Sequence, residues 1–188
     1  MAMVRPVSSR ARTRQFAMLE VAIVFAIGCS LVAVAVPAFL REVHASRLVE
    51  PVEGLERLGA SAVAYARDQA PAAASSGAPA GPFFPTSAPM TPSLPPRGHC
   101  EVDAPNAWDA PTWVALGFRP APAGTPHCFA FAFDSASSPT RSTFRAHAHG
   151  DLDGDGIPST FEVTGRSIEG DPRGPMLDPG MFVDSEVE

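Results

Sequence analysis

Apolar residues follow three different patterns along this chain. Over residues 16–40 they are almost uninterrupted, a run long enough to cross a bilayer as a helix. Over residues 43–65 they recur mostly at steps of three and four, which predicts one apolar stripe on an amphipathic helix. Beyond residue 100 they occur in short segments rich in Phe, Val and Thr, where alternate residues fall on one face of a strand.

The two helical patterns predict one long N-terminal helix of about fifty residues, membrane-embedded over 16–40 and amphipathic over 41–70. We expect Pro51 and Gly54 to bend or weaken its second half. The residues that form its apolar stripe are Val43, Leu48, Val52, Leu55, Leu58, Ala62 and Tyr65.

Eight prolines between residues 71 and 96 predict a surface connection over 71–99 that holds neither helix nor strand. Four segments that follow predict strands: WVALGF (113–118), CFAFAFD (128–134), STFRAHAHG (142–150) and STFEVTG (159–165). The fold class is therefore α+β. A long helix is packed by a small antiparallel β-sheet head, which we place at 100–188.

Charge suggests the orientation of the chain in a membrane. The leader, residues 1–15, contains Arg5, Arg10, Arg12 and Arg14 but no acidic residue, which predicts a cytoplasmic N-terminus and an exported remainder. From residue 16 onward, 10 Arg stand against 20 Asp and Glu, a net charge of −10. This argues against a nucleic-acid partner for the exported part.

A cleaved signal peptide is an alternative for the same N-terminal segment. A basic start, an apolar run and the small residues at 33–35 fit that pattern. However, the run is long for a signal peptide, contains Glu20 and continues beyond residue 35 to Leu40. Because a carboxylate in a membrane helix costs about 2.5–3.5 kcal/mol at the bilayer centre, Glu20 calls for a functional explanation.

The ordered features of this segment resemble the N-terminus of type IV pilins and pseudopilins. In QFAMLEVAIVFAIG...AVAVPAFLREV, Phe16 follows a basic leader, Glu20 lies four residues later, and Pro37 lies seventeen residues after the glutamate. The segment SRLVEPVEGLERLGASAVAYARD is similar to the second half of the pilin helix. DAPTWVALGF and GDLDGDGIPSTFEVTG resemble segments of a subset of bacterial pilin-like proteins.

This resemblance implies a structural subunit, in a minor role, of a type IV pilus (a fimbrium) or a type II secretion pseudopilus. A prepilin peptidase would cut between Gln15 and Phe16, and the new amine would be methylated. The subunit would be stored in the bacterial inner membrane with its head in the periplasm, then packed with other pilin subunits. Glu20 would pair with the amine of a neighbouring subunit, and Pro37 would kink the helix.

One residue departs from the family pattern. Gln15 stands where the family has glycine, and it is expected to hinder or abolish cleavage. An uncut chain would be a single-pass, membrane-anchored periplasmic binding module that does not assemble, and Glu20 would then lie near the headgroups, paired with Arg14. An enzyme is not expected, because no nucleophile with a base, phosphate loop or catalytic zinc pattern is apparent.

Cys100 and Cys128 lie in the exported part, where an oxidising environment favours a disulfide. A bridge would close a loop worth roughly 3–4 kcal/mol in the chain-entropy model. Each cysteine follows a histidine, His99 or His127, so a zinc site is an alternative, as are free thiols.

The segment DLDGDGIPSTFE (151–162) fits the calcium-loop pattern D-x-[DN]-x-[DN]-G-x5-E. The predicted ligands are Asp151, Asp153, Asp155, the Ile157 carbonyl, Ser159 and Glu162. Because the flanks are predicted strands, the loop is either a calcium site between strands or an acidic turn without a ligand.

Residues 147 and 149 are histidines two apart on a predicted strand, so they share one face close to Asp151. They could chelate a metal. The favoured interpretation is that they form the polar face of that strand, opposite Phe144, Ala146 and Ala148.

Overall fold

The structure is a computed structural model that describes residues 10–76 and 83–185, with side chains described for 18–39, 46–69 and 83–185. The described residues form the helices and strands α1 Arg10–Arg47, α2 Val49–Ser76, β1 Ala88–Thr91, α3 Pro111–Leu116, β2 Ala130–Ser137, β3 Arg141–Gly150, β4 Ser159–Ile168, β5 Met176–Leu177 and β6 Phe182–Asp184. The chain divides into two compact units, residues 1–45 and 46–188, which we describe separately. Most of the predicted leader, residues 1–9, lies outside the described residues.

The first unit consists of most of α1. Among the described residues, one segment, Met18–Phe39, is a helix long and apolar enough to cross a membrane, with a mean hydropathy of 2.5. Every side chain in it is exposed. The helix continues through Pro37. A membrane-type helix is therefore present where the sequence predicts one, although a signal sequence shares this length and composition.

The structure divides the predicted helix of about fifty residues into two, because α1 ends at Arg47 and α2 begins at Val49. Pro51 consequently lies in the first turn of α2. Amide groups in a first turn have no partner within the helix, so a proline there removes no hydrogen bond. Pro51 is thus accommodated at the start of a helix and does not bend the middle of one.

The head is an antiparallel sheet with strand order β1-β2-β3-β4-β5, in which β6 also pairs with β4. Strands β2, β3 and β4 confirm three of the predicted strands. Their register aligns Phe131, Ala148 and Phe161 in one row across the sheet. All three side chains are buried, and they belong to the same apolar core as Leu55 and Leu58 of α2. The apolar stripe of α2 therefore packs on the inner face of the sheet.

Gly54 lies at the closest approach between this helix and the sheet. A Cβ atom at residue 54 would stand 2.7 Å from Cζ of Phe131, well inside van der Waals contact. The same residue that weakens the helix by its intrinsic propensity thus makes room for the Phe131 ring. Helix α2 continues through Gly54, where the ring of Phe131 packs against it.

The segment predicted as the first strand, 113–118, is instead largely the helix α3. Pro111 occupies its first turn, where a missing amide is tolerated. Gly117 ends it with a left-handed backbone, φ 57°, whose N–H donates to carbonyls of the last turn. Trp113 is buried and packs against Trp108 in a tilted arrangement, with ring centroids 5.2 Å apart. The alternation of apolar residues was too short to distinguish a strand from one helical turn.

The proline-rich connection also contains regular structure, which corrects the prediction for 71–99. Helix α2 extends to Ser76, and β1 forms an edge strand paired with β2. An edge strand tolerates Pro89, because its backbone N–H groups pair with a neighbouring strand on one side only. Phe84 is buried and packs edge-on against Phe144 with ring centroids 4.8 Å apart. Residues 77–82 lie outside the described residues, and the compact unit of the head begins at residue 46 instead of 100.

Glu50, in the first turn of α2, holds this helix to the start of β2. Its carboxylate accepts hydrogen bonds from the amides of Cys128 at 3.0 Å and Phe129 at 3.1 Å. Burial raises the pKa of Glu50, Asp103 adds to this effect, and the two amides and His127 oppose it. The carboxylate is therefore a partly buried acceptor that links two elements distant in sequence.

We expect the raised pKa of Glu50 to make the head less stable as the pH rises. Above pH 4.5 the unfolded chain loses the Glu50 proton, whereas the folded head keeps it up to a higher pH. Folding then takes up a proton, so the free energy of unfolding falls through this window. In Glu50→Gln this contribution disappears, and the fall should be smaller. Denaturant unfolding of residues 46–188 between about pH 4 and pH 7 measures both slopes.

Glu53→Gln is the matched control, because Glu53 is an exposed residue of the same helix. Its pH dependence should equal that of the wild type. Equal slopes in Glu50→Gln and the wild type would contradict the assignment.

Candidate functional site

Glu20 is the one charged side chain within the apolar segment 18–39, and it is exposed on α1. Gln15 and Phe16 lie within the backbone of α1, but their side chains and that of Arg14 are outside the described part of the chain. Ser30 Oγ donates to the Ala26 carbonyl at 2.8 Å, so this hydroxyl is satisfied within its own helix. The segment 18–39 therefore presents an exposed apolar surface that carries one exposed carboxylate.

The acidic loop between β3 and β4 is folded around Asp151. This side chain is buried, and its Oδ1 and Oδ2 accept hydrogen bonds from the amides of Gly154 at 2.7 Å and Gly156 at 3.0 Å. Asp153 accepts from the amide of residue 155 at 3.1 Å, and Asp155 accepts from that of residue 157 at 2.7 Å. Each carboxylate thus helps to fix the turn.

Three of the predicted calcium ligands converge in this loop. Carboxylate oxygens of Asp151, Asp153 and Asp155 lie within 4.8 Å of one another. On the same loop, Ile157 has an exposed side chain, and its amide is bonded to Asp155. Oxygen atoms of the triad and of the loop backbone could coordinate a cation of suitable size. The exposed guanidinium of Arg97 is a nearby positive charge, with Nε 3.9 Å from Asp151 Oδ2.

Two of the other three predicted ligands, the side chains of Ser159 and Glu162, are engaged in contacts outside the triad. The Ser159 hydroxyl is fully buried and donates to the Gly150 carbonyl at 3.0 Å. Glu162 lies in β4 opposite His147, with Oε1 3.6 Å from Arg145 Nε. In a helix after the loop, a glutamate at this spacing can turn back to the ion. An extended strand instead carries it away by about 3.3 Å per residue.

Cys100 and Cys128 form the predicted disulfide. Their sulfurs are therefore unavailable as thiolates, which removes the zinc alternative for these two cysteines. The adjacent histidines lie in different environments. His99 is exposed, with Nε2 2.9 Å from Glu101, whereas His127 is buried. Of the described cysteines, Cys29 is free and lies exposed on α1.

His127 connects the disulfide region to the aromatic core. Its Nδ1 lies 2.7 Å from the Phe129 carbonyl, an acceptor, so Nδ1 carries the hydrogen. Nε2 lies 2.7 Å from Asp103 Oδ2, but the two atoms are not aligned as in a hydrogen bond. The same Asp103 oxygen accepts from the Trp108 indole at 2.5 Å. These contacts fix neighbouring segments to one another and give His127 a structural role.

The outer face of the sheet carries the polar residues of β3 and β4. His147 and His149 lie there with ring centroids 5.1 Å apart, while Phe144, Ala146 and Ala148 are buried on the opposite face, as the sequence predicts. His149 Nδ1 lies 2.9 Å from Thr160 Oγ1. Burial, followed by the charge of His147, lowers the pKa of His149.

Sequence patterns did not identify Glu50 and Asp103 as partners of the disulfide region. Both are isolated acidic residues far from residue 127 in the chain, and neither belongs to a recognisable motif. A glutamate in the first turn of a helix, directly before Pro51, was the one available signal, because acidic residues are favoured at that position. That signal predicts a helix start, but it does not predict contact with β2.

Comparisons of this chain with known protein families, with curated proteins and with solved structures find no match in any of the three.

Proposed function

We propose that this chain is a pilin-like structural subunit, in a minor role, of a type IV pilus or a type II secretion pseudopilus. It is anchored in the bacterial inner membrane by α1, with the N-terminus in the cytoplasm and the head in the periplasm, and it assembles with other pilin subunits through the same helix. The observation that carries the proposal is a fully exposed apolar helix, with one carboxylate, ahead of a compact α+β head.

The exposed surface of α1 supports a lipid or helical partner. Large apolar side chains are exposed all around the segment, among them Leu19, Val24, Phe25, Leu31 and Phe39. A helix that is apolar on every side is stable only where water is excluded. Lipid meets this requirement before assembly, and the helices of neighbouring subunits meet it in a filament.

The position of Glu20 supports assembly through an ion pair. Cleavage before Phe16 would create an amine four residues from Glu20, which is about 6 Å along a helix axis. If a neighbouring subunit is displaced by this distance along the helix axis, its N-terminal amine lies at the same height as Glu20 of the first subunit. Breaking a buried ion pair costs about 3–5 kcal/mol, because one charge remains unpaired. Such a pair would therefore select one axial register.

Gln15 favours a second candidate, the membrane-anchored periplasmic binding module that never assembles. Without cleavage there is no amine at Phe16. The two candidates differ in one measurable property, which is whether the protein enters a sedimentable filament.

We expect slow or incomplete cleavage between Gln15 and Phe16, because glutamine replaces the glycine typical of this family. Intact-mass analysis of protein from its native membrane should show substantial full-length chain. Gln15→Gly should convert most of it to the form that begins at Phe16. Complete cleavage of the wild type at this bond would refute the effect of Gln15, and cleavage after Ala35 would refute the pilin proposal itself.

Glu20→Gln should insert into the membrane normally but fail to enter filaments, because the neutral amide cannot pair with the amine of another subunit. The measurement compares membrane and sheared, sedimentable fractions, in the wild-type and Gln15→Gly backgrounds. Glu53→Gln, on α2, is the matched control and should assemble as its background does. Assembly of Glu20→Gln at the control level would contradict the ion pair. A complete lack of sedimentable protein, even with Gln15→Gly, would favour the binding module.

We also propose that the Asp151, Asp153 and Asp155 triad binds Ca²⁺ outside the cytoplasm. Extracellular sites need dissociation constants of only about 10⁻⁴–10⁻³ M. At a hundred times its dissociation constant, calcium adds about 2.7 kcal/mol to the free energy of unfolding. Residues 46–188 should therefore melt at a higher temperature in calcium than in chelator.

Asp153→Asn should remove most of this difference, because it neutralises a carboxylate whose side chain is exposed. Glu162→Gln is the matched control and should retain the difference, since the structure places Glu162 outside the triad. Identical melting of the wild type in calcium and chelator would mean that the loop is an acidic turn. Loss of the effect in Glu162→Gln would restore the complete sequence-predicted ligand set.

A further inference from the structure

We propose that the head binds a zwitterionic amino acid with a compact apolar side chain, in a cavity close to the disulfide. The cavity has a volume of about 330 Å³ and lies between two loops, residues 102–105 and 121–125. Trp108 and Arg119 also line it. Binding cavities for small molecules begin at about 300 Å³, so this space fits one small molecule.

Contacts at the ends of the two loops fix the walls of the cavity. The disulfide joins Cys100, just before the first loop, to Cys128, just after the second. Next to it, the backbones of Glu101 and His127 exchange two hydrogen bonds of 2.9 Å. A ligand therefore enters between walls that are already in place, and its binding orders few residues of the protein.

Two opposite charges line the cavity without pairing with each other. Arg119 is half-buried, and within the described part of the chain its guanidinium forms no ion pair and no hydrogen bond. Asp103 accepts a hydrogen bond from the Trp108 indole through Oδ2, and the same oxygen lies 2.7 Å from His127 Nε2. Asp103 Oδ1 has no hydrogen-bond partner among the described residues. The cavity thus offers one cation and one carboxylate oxygen to a ligand.

This arrangement of charge favours a zwitterion. A simple anion paired with Arg119 would be held beside the Asp103 carboxylate, and a dianion such as phosphate would be repelled more strongly. A simple cation meets the reverse problem at Arg119. An α-amino acid carries its carboxylate and ammonium groups on one carbon, so it can pair with both side chains at once through charge-assisted hydrogen bonds.

Most of the remaining lining is apolar. Trp108 is buried, and its ring packs against those of Trp113 and Phe118 at centroid distances of 5.2 and 5.8 Å, so it forms a fixed wall. The two loops add six apolar residues, which are Val102, Ala104, Pro105, Ala121, Pro122 and Ala123. An aliphatic side chain such as that of leucine loses its contact with water among them, which favours its binding.

The test uses the full chain in lipid nanodiscs, titrated with L-leucine and followed by calorimetry and by NMR of the two tryptophan indoles. The wild type should bind one equivalent. The Nε1–H signal of Trp108 should move more than that of Trp113, because Trp113 does not line the cavity. The opposite ranking of the two signals, or no binding in the millimolar range, would overturn the proposal.

Three analogues test the three parts of the ligand. N-acetyl-L-leucine lacks the ammonium group, L-leucinamide lacks the carboxylate, and glycine lacks the apolar side chain. Each should bind at least about tenfold more weakly than leucine, because each leaves one part of the lining without its partner. If N-acetyl-L-leucine binds as tightly as leucine, the cavity is a site for simple apolar acids and the proposal fails.

Arg119→Gln removes the cation from the cavity. It should weaken leucine binding about tenfold or more but leave the affinity for L-leucinamide unchanged, because the amide carries no carboxylate. Arg141→Gln is the matched control, since Arg141 is exposed on β3, outside the cavity, and has no ion pair in the described part of the chain either. It should bind leucine as the wild type does. Equal leucine affinity of the wild type and Arg119→Gln would contradict the site, as would an equal loss in Arg141→Gln.

Discussion

The head depends on packing between α2 and the inner face of the sheet. Phe131 approaches the helix backbone so closely that residue 54 can carry no Cβ without a shift, and Leu177 approaches Gly59 in the same way. Two small residues on the helix thus set the distance between the layers. Large rings then fill the space between them, as in the stacked pair of Phe133 and Phe144. The sheet can expose its polar outer face because the helix buries the inner one.

Several local contacts preserve that packing at the edge of the head. The disulfide joins Cys128, directly before β2, to the segment around Cys100, and Glu50 joins the same point to the start of α2. Both constraints act on residues 128 and 129. They therefore hold the start of α2, the segment around Cys100 and the start of β2 together. A head of this size has a limited core, and covalent and buried polar links at its margin supplement the apolar packing.

The two units present opposite surfaces. Residues 18–39 of α1 expose apolar side chains on all sides, whereas the outer face of the head carries carboxylates, histidines and arginines. Water solvates the polar outer face of the head, whereas the apolar surface of α1 is unfavourable in water. This division is physically consistent with a subunit whose helix is covered by lipid or by other helices while its head stays wet. In the proposed calcium loop, Asp153 and Asp155 are exposed, so an ion can reach them without entering the core.

The sequence by itself determined the membrane-type helix, the three central strands and the polar face of His147 and His149, because these depend on local composition and periodicity. It left Cys100 and Cys128 open to a disulfide, a zinc site or free thiols, and the tertiary structure, which brings the two cysteines together, decided for the disulfide. It misassigned 113–118 and the proline-rich connection, since short apolar segments fit a helical turn or a strand equally well. Only the tertiary structure decided that Gly54 makes room for a ring and that Glu162 lies away from the aspartates. Both outcomes depend on which strand or helix is packed opposite, and a linear pattern does not contain that information.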